Sequence, residues 1–257
     1  MSVLDSIIEG VREDLANRRL PMGQLQEALE IAAPVRDCLP GLLTEEISVL
    51  SEVKRSSPSK GSLAPIVDPA GLAEQYQAAG AVVVSVLTEQ RRFGGTLIDL
   101  DVVRKVIELP ILRKDFMVDE YQFYEARAHG ADLVLLIVAA LSRNQLVDYF
   151  HLSTALGMRT LIEVHTPDEL ERALDISPDI IGVNSRNLKT LEVDMQTFSQ
   201  LIPMIPTNVA RVAESGISTR ADVELAQSCG ATAILVGEAL VRAQTPLVAI
   251  NQLLGRL

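Results

Sequence analysis

The 257-residue sequence predicts a closed (β/α)8 TIM barrel with an N-terminal helical extension, and three observations carry that reading. Short apolar runs recur eight times, at 47–54, 81–88, 109–116, 131–140, 159–166, 179–186, 208–215 and 232–239. Their ends lie about 20–35 residues apart, the spacing of strand–helix units in a parallel sheet. Helical stretches at 69–79, 119–128, 167–174 and 219–228 fall between runs, and Gly80, Gly130, Gly157 and Gly230 each follow a helix, where a left-handed residue ends it. Eight such units in a chain of this length close into a barrel. An open doubly wound sheet would want a G-x-G-x-x-G turn after its first strand, and none is there.

The composition suits that architecture. Hydrophobic residues make up 48% of the chain, aromatics only 4%, and Trp is absent. The core is therefore aliphatic, as strands buried on both faces require. The formal net charge of −11 opposes binding to nucleic acid or anionic lipid, so a small molecule is the expected partner. Cys38 and Cys229 fit no metal spacing and are expected to be reduced thiols. The first residues, MSVLDSIIEG, lack the features of a signal peptide, and no run approaches a membrane span. These features predict a soluble, cytoplasmic protein, a monomer or weak homodimer.

The chain is expected to form one domain over 1–257, with a helical extension at 1–45 and the barrel at 46–257. Within the extension Leu4, Ile7, Ile8 and Val11 recur at helical spacing, and Leu25, Leu29 and Ile31 form a second apolar set. Pro21 and Gly23 are expected to separate the two segments, and Pro34 and Pro40 to end the second.

Barrel enzymes carry their chemistry at the C-terminal ends of the strands. Here those ends are charged or polar: Glu52-Val53-Lys54, Arg113-Lys114-Asp115, Glu163, Asn184-Ser185-Arg186, Glu214-Ser215-Gly216 and Val236-Gly237-Glu238. Glu52 and Lys54 share a strand face, with Val53 opposite. Burying isolated charges is costly, so their recurrence implies mutual neutralisation around a polar cavity. Lys54, Lys114 and Arg186 are the cations an anionic substrate needs in an acidic protein. Glu52, Glu163 and Glu214 are candidate acid–base groups, and burial against apolar walls would raise a glutamate into a useful range. A lysine among other cations would have a lowered pKa and act as a general acid. Spacing leaves open which lysine does so.

Ser215-Gly216 and Gly237 form glycine turns on adjacent strand ends, where barrels bind phosphate. The loop Arg55-Ser56-Ser57-Pro58-Ser59-Lys60-Gly61 reads as a polar lid, and Phe93 and Phe116 as candidate walls for an aromatic group. His129 and His151 fall near helices and read as surface residues; His165 lies one step past the fifth strand, within reach of the site. No H-x-x-E-H cluster is present, so no protein-bound metal is expected.

Taken in order, these segments resemble the indole-3-glycerol-phosphate synthase family of tryptophan biosynthesis. The resemblance spans nearly the whole chain and is most specific at Ser57-Pro58-Ser59-Lys60-Gly61 and Gly182-Val183-Asn184-Ser185-Arg186-Asn187-Leu188. It implies ring closure of 1-(2-carboxyphenylamino)-1-deoxyribulose 5-phosphate with loss of carbon dioxide and water, and no cofactor. It further implies Lys114 as general acid, Glu163 as its acid–base partner, and Lys54 on the substrate carboxylate. Glu52 would support the lysines, Asn184 and Arg186 orient the substrate, and Glu214 contact its hydroxyls or the lysine network. Ser57, Ser215, Gly216 and Gly237 would hold phosphate, and Phe93 and Phe116 pack on the anthranilate ring. Two positions depart from the family pattern: Arg92 stands where an aromatic is common, and Glu238 where a serine also occurs. A phosphoribosylanthranilate isomerase-like barrel would instead need a cysteine at a strand end, and neither cysteine is at one. A non-catalytic metabolite-binding barrel would be expected to lose its strand-end charges, and here they are retained.

Overall fold

A computed structural model of the chain describes residues 2–243 and 245–256. Its eight barrel strands are β1 (Ser48–Val53), β2 (Val83–Leu87), β3 (Ile111–Lys114), β4 (Leu133–Ile137), β5 (Arg159–Val164), β6 (Ile180–Asn184), β7 (Ala210–Glu214) and β8 (Ala233–Val236). All pair in parallel in sequence order, and β1 closes on β8 through Ser48↔Ala233 to Ser51↔Val236. All eight apolar runs thus become strands. The four helical stretches also form, as Pro69–Ala78, Tyr121–Ala128, Pro167–Leu174 and Arg220–Ser228. Gly80, Gly130, Gly157 and Gly230 all have positive φ, between 79° and 99°, which L side chains resist and glycine does not.

One apolar cluster runs from Leu4 to Leu253, so the extension and the barrel share a core. Helix α1 (Val3–Arg18) opens with a Ser2–Asp5 capping box and buries Leu4, Ile7, Val11 and Leu15. Helix α2 (Met22–Glu30) is less embedded. Of its expected apolar set only Leu25 is buried, against Leu15 and Tyr121, whereas Ile31 is 86% exposed. Gly23 sits inside the first turn of α2, and Pro21 alone precedes it. Pro40 opens a four-residue helix, Leu39–Leu42, where its missing N–H costs nothing.

The third strand carries two cations on opposite faces. Arg113 points outward and is fully buried under the helices. Its guanidinium donates to Asp115, to Thr88 Oγ1 and to the Gln122 carbonyl, and pairs with Glu125 at 2.9 Å. Glu125 also accepts from Arg18 at the end of α1. This network ties the extension to the strand that bears Lys114. Removing one partner of a buried pair strands the other charge. Arg113→Ala is therefore expected to cost about 3–5 kcal/mol of unfolding free energy. Urea denaturation followed by circular dichroism measures it, and a midpoint equal to that of the parent would contradict it.

Candidate active site

All thirteen candidate residues line one cavity of about 520 Å³ at the C-terminal ends of the strands: Glu52, Lys54, Ser57, Phe93, Lys114, Phe116, Glu163, Asn184, Arg186, Glu214, Ser215, Gly216 and Gly237. Strand alternation puts Lys114 into the lumen because Arg113 faces out. Its ammonium lies 3.1 Å from Glu163 Oε2 and 3.5 Å from Glu214 Oε2. At the first strand, Lys54 Nζ lies 2.6 Å from Glu52 Oε2.

These neighbours set the proton affinities. Burial lowers the Lys114 pKa, but the charges of Glu163, Glu214 and Glu52 outweigh it and hold the ammonium above its ordinary range. The lysine is thus ringed by carboxylates, not cations, and its pKa is raised where the sequence suggested lowering. Burial raises Glu163, but Lys114 and His165 outweigh it and keep this carboxyl below the usual range. Burial also raises Glu214; Lys114 opposes it, the charges of Glu163 and Glu52 add to it, and the carboxyl is pushed up to about 8. The two adjacent glutamates are thus pushed in opposite directions, the arrangement that separates acid from base.

Two glycines make this packing possible. A Cβ at Gly182 on β6 would collide with Glu214 Oε1. One at Gly237 would stand 2.5 Å from Glu52 Oε2 and 3.2 Å from Lys54 Cε. Gly237, a candidate phosphate turn, also clears space for the first-strand ion pair. Ser215 and Gly216 follow Glu214 with φ of 67° and 74°. Positive φ at a serine is uncommon and marks a turn held by its surroundings. Here Ser185 Oγ donates to the Ser215 carbonyl, and Met195 and Val193 crowd the Gly216 α-carbon.

The aromatic wall is positioned by buried carboxylates. Glu89 accepts from the backbone N–H groups of Arg91, Arg92 and Phe93, capping the short turn that presents Phe93. Asp115, fixed by Arg113 and Thr88, accepts from the Phe116 N–H at 2.8 Å. The two rings lie 6.1 Å apart between centroids. Arg92 turns away to donate to Ser6 Oγ, and Glu238 pairs with Arg242, so neither departure from the family pattern places a charge unbalanced at the wall or the turn.

The β1 loop contains regular pairing that its composition does not suggest. Ser56–Ser57 and Gly61–Ser62 pair as a small hairpin. Arg55 anchors its base through two bonds to Asp99 and one to the Ile66 carbonyl. Arg186 is partly occupied, donating to the Leu191 carbonyl, while Asn184 Oδ1 accepts from the Arg186 N–H. Sequence reasoning missed Arg242 and Lys60 as further cations of the cavity, and Val3, Leu4 and Ile7 of α1 as part of its wall. The apolar spacing of α1 pointed to burial, but nothing in it said against what. His165 lies just outside the cavity, with Nε2 3.3 Å from Glu163 Oε1. His129 is half-buried against Asp101, and His151 is exposed. Neither Cys38 nor Cys229 lines the cavity.

A closed barrel whose mouth gathers paired lysines and glutamates, an aromatic wall and glycine turns defines an enzyme for a small anionic substrate. Comparison with known proteins gives the family. The model of indole-3-glycerol phosphate synthase matches residues 4–253. Indole-3-glycerol phosphate synthase 1 of Streptomyces coelicolor is 53% identical, with 99% of this chain and 96% of the relative covered. The Micrococcus luteus enzyme of the same name is 54% identical over 98% and 96%. The chain belongs to the indole-3-glycerol phosphate synthase family. More distant likeness extends to the barrel alone: the 3-hexulose-6-phosphate synthase of Salmonella typhimurium superposes with a TM-score of 0.66 at 11% identity, over 81% of this chain and 97% of that one. Among the described residues no helix is long and apolar enough to cross a membrane.

Two outcomes follow from this geometry. Gly182→Ala displaces the Glu214 carboxylate and is expected to lower kcat at least about 100-fold, the scale of losing one positioned acid–base group; unchanged turnover in a soluble variant would contradict it. The raised pKa values of Glu214 and of His165, pushed up to about 9, make the folded state bind extra protons near neutrality. Their stabilisation is complete below their ordinary values of 4.5 and 6.5 and is lost as pH rises through about 8 and 9. Thermal midpoints should therefore fall between pH 6 and 9, and less steeply in Glu214→Gln.

Proposed function

We propose that this chain is a carbon–carbon lyase of the carboxy-lyase class that converts 1-(2-carboxyphenylamino)-1-deoxyribulose 5-phosphate to indole-3-glycerol phosphate, carbon dioxide and water. The observation that carries the proposal is the Lys114 ammonium held between Glu163 and Glu214 within a cavity walled by two phenylalanines. The substrate has a phosphate, a carboxylate, an aromatic ring and a ketone. The cavity offers glycine turns, Lys54, the phenylalanine pair and the Lys114 ammonium, one kind of group for each.

In this reading the phosphate takes the Ser215–Gly216 and Gly237 turns, with Ser57 above and Arg242 nearby. Lys54 meets the substrate carboxylate, and Glu52 keeps that ammonium in place. Phe93 and Phe116 hold the ring, while Asn184 and Arg186 orient the chain that must close. Lys114 protonates the ketone oxygen as the ring carbon bonds to the ketone carbon. A pKa held high keeps this lysine loaded with its proton until substrate oxygens take the place of its carboxylate partners. Loss of carbon dioxide then returns the bonding electrons to the ring. Elimination of the new hydroxyl completes the indole: Glu214 returns a proton to Lys114, which passes it to the departing hydroxyl as water, while Glu163 takes the proton from the carbon beside the nitrogen. A water-poor cavity favours decarboxylation by stripping the solvation from the carboxylate. The chemistry is acid–base throughout, so no cofactor is part of the proposal. An isomerase acting through a cysteine is disfavoured because neither cysteine reaches the cavity.

Lys114→Ala and Glu163→Gln are each expected to reduce kcat by about 10²–10⁴, the range for a positioned acid or base, with KM changed a few-fold at most. Product fluorescence measures both, and full activity in the two variants would sink the assignment. Inorganic phosphate should inhibit weakly and competitively. A crystal grown in phosphate with no ion at Ser215, Gly216 and Gly237 would count against the phosphate turns.

A further inference from the structure

His165 is a largely buried titratable group beside Glu163 that the mechanism above does not use. It follows β5 by one residue, so its ring turns back beside Glu163 rather than into the cavity. Its Nε2 lies 3.3 Å from Glu163 Oε1, an ion-pair distance without hydrogen-bond geometry, and among the described residues neither atom has a hydrogen-bond partner. On the outer side its Nδ1 lies 3.0 Å from Glu169 Oε2, which also accepts from the His165 backbone N–H. The ring is 10% exposed and Glu169 17%. The arrangement is a line: Glu169, His165, Glu163, Lys114.

A neutral imidazole has only one N–H and would leave one of the two flanking carboxylates facing a lone pair. Two carboxylates on its two nitrogens favour the doubly protonated ring. Arg172, on the same helix as Glu169, is committed to the carbonyls of Val138 and Leu141 and supplies no competing cation. On the far side of Glu163 stand Lys114, Glu214 and Asn184. Glu163 therefore has a cation at each oxygen, Lys114 at Oε2 and His165 at Oε1.

We infer that His165 is a positioning residue for Glu163: as an imidazolium braced by Glu169, it keeps Glu163 ionised and aimed at Lys114. The raised His165 pKa agrees with the geometry. Loss of the imidazolium would raise proton affinity at Glu163, blur the difference between the two glutamates and free Glu163 to rotate. The inference rests on the reading of Glu163 as an acid–base group, but its first test does not.

That test is the imidazole titration of the three histidines by NMR, with His165 identified by the signal missing in His165→Gln. In the parent protein His165 is expected to stay protonated through pH 8. Glu169→Gln and Glu163→Gln should each lower its titration by about one pH unit or more. A His165 that titrates near its ordinary value of 6.5, or at the same pH in all three proteins, overturns the ion-pair line whatever the turnover assay says. The second test is the pH dependence of kcat. In His165→Gln the limb governed by the carboxyl pair should move to higher pH, with KM within about twofold. Glu169→Gln, which leaves the ring in place, should show a smaller change in the same direction. A kcat lowered by the same factor at every pH would instead mark His165 as packing only, and would overturn the positioning role.

Discussion

The architecture of this site depends on one constraint: β3 buries two positive charges back to back, and each must be neutralised on its own side. Arg113 lies under the helices and Lys114 in the lumen, and the peptide between them lets neither leave. The outward charge recruits Asp115, Glu125 and, through Glu125, Arg18 of the extension. The inward charge recruits Glu163 from β5 and Glu214 from β7. A solvated lysine could do with loose partners, but a buried one cannot. The barrel therefore supplies its acid–base groups in the course of solving a solvation problem. The outer network repays this by fixing Asp115, whose carboxylate in turn fixes Phe116, so the charge layer and the aromatic wall share one anchor.

Much of this was legible in the sequence. The eight runs were visible because strands covered on both faces must be continuously apolar, and their charged ends stood out against that background. Periodicity also placed Glu52 and Lys54 on one face. What sequence could not show was which charges meet. Lys114 reads as a lysine among cations because Lys54 and Arg186 also stand at strand ends; in space its neighbours are carboxylates from strands 49 and 100 residues further on. Gly182 looked like part of a strand, and its role as the space occupied by Glu214 exists only across the β6–β7 pair. Ile31 belongs to the same apolar set as Leu25, but the helix ends at Glu30 and leaves Ile31 at its C-cap, exposed.

The barrel itself carries little functional information. The structures that superpose on it at 11–16% identity share the path of the chain, and their names do not transfer. What distinguishes this chain is which residues stand at the strand ends and what each is paired with. A lysine with two glutamates, a lysine with one, two glycines that admit those carboxylates and a histidine at the end of β5 are features of particular side-chain pairs, not of the fold.

The closure of β1 on β8 has a consequence for how the molecule comes into being. Glu52 and Lys54 are made early, and the Gly237 against which they pack arrives almost two hundred residues later. Without β8 the barrel has no partner for the β1 edge and the cavity lacks the wall that Gly237 forms beside the first-strand pair. Lys114 likewise waits for Glu214. Such a site is complete only in the closed ring, because its first-strand pair packs against Gly237 at β8 and Lys114 has its second carboxylate from β7.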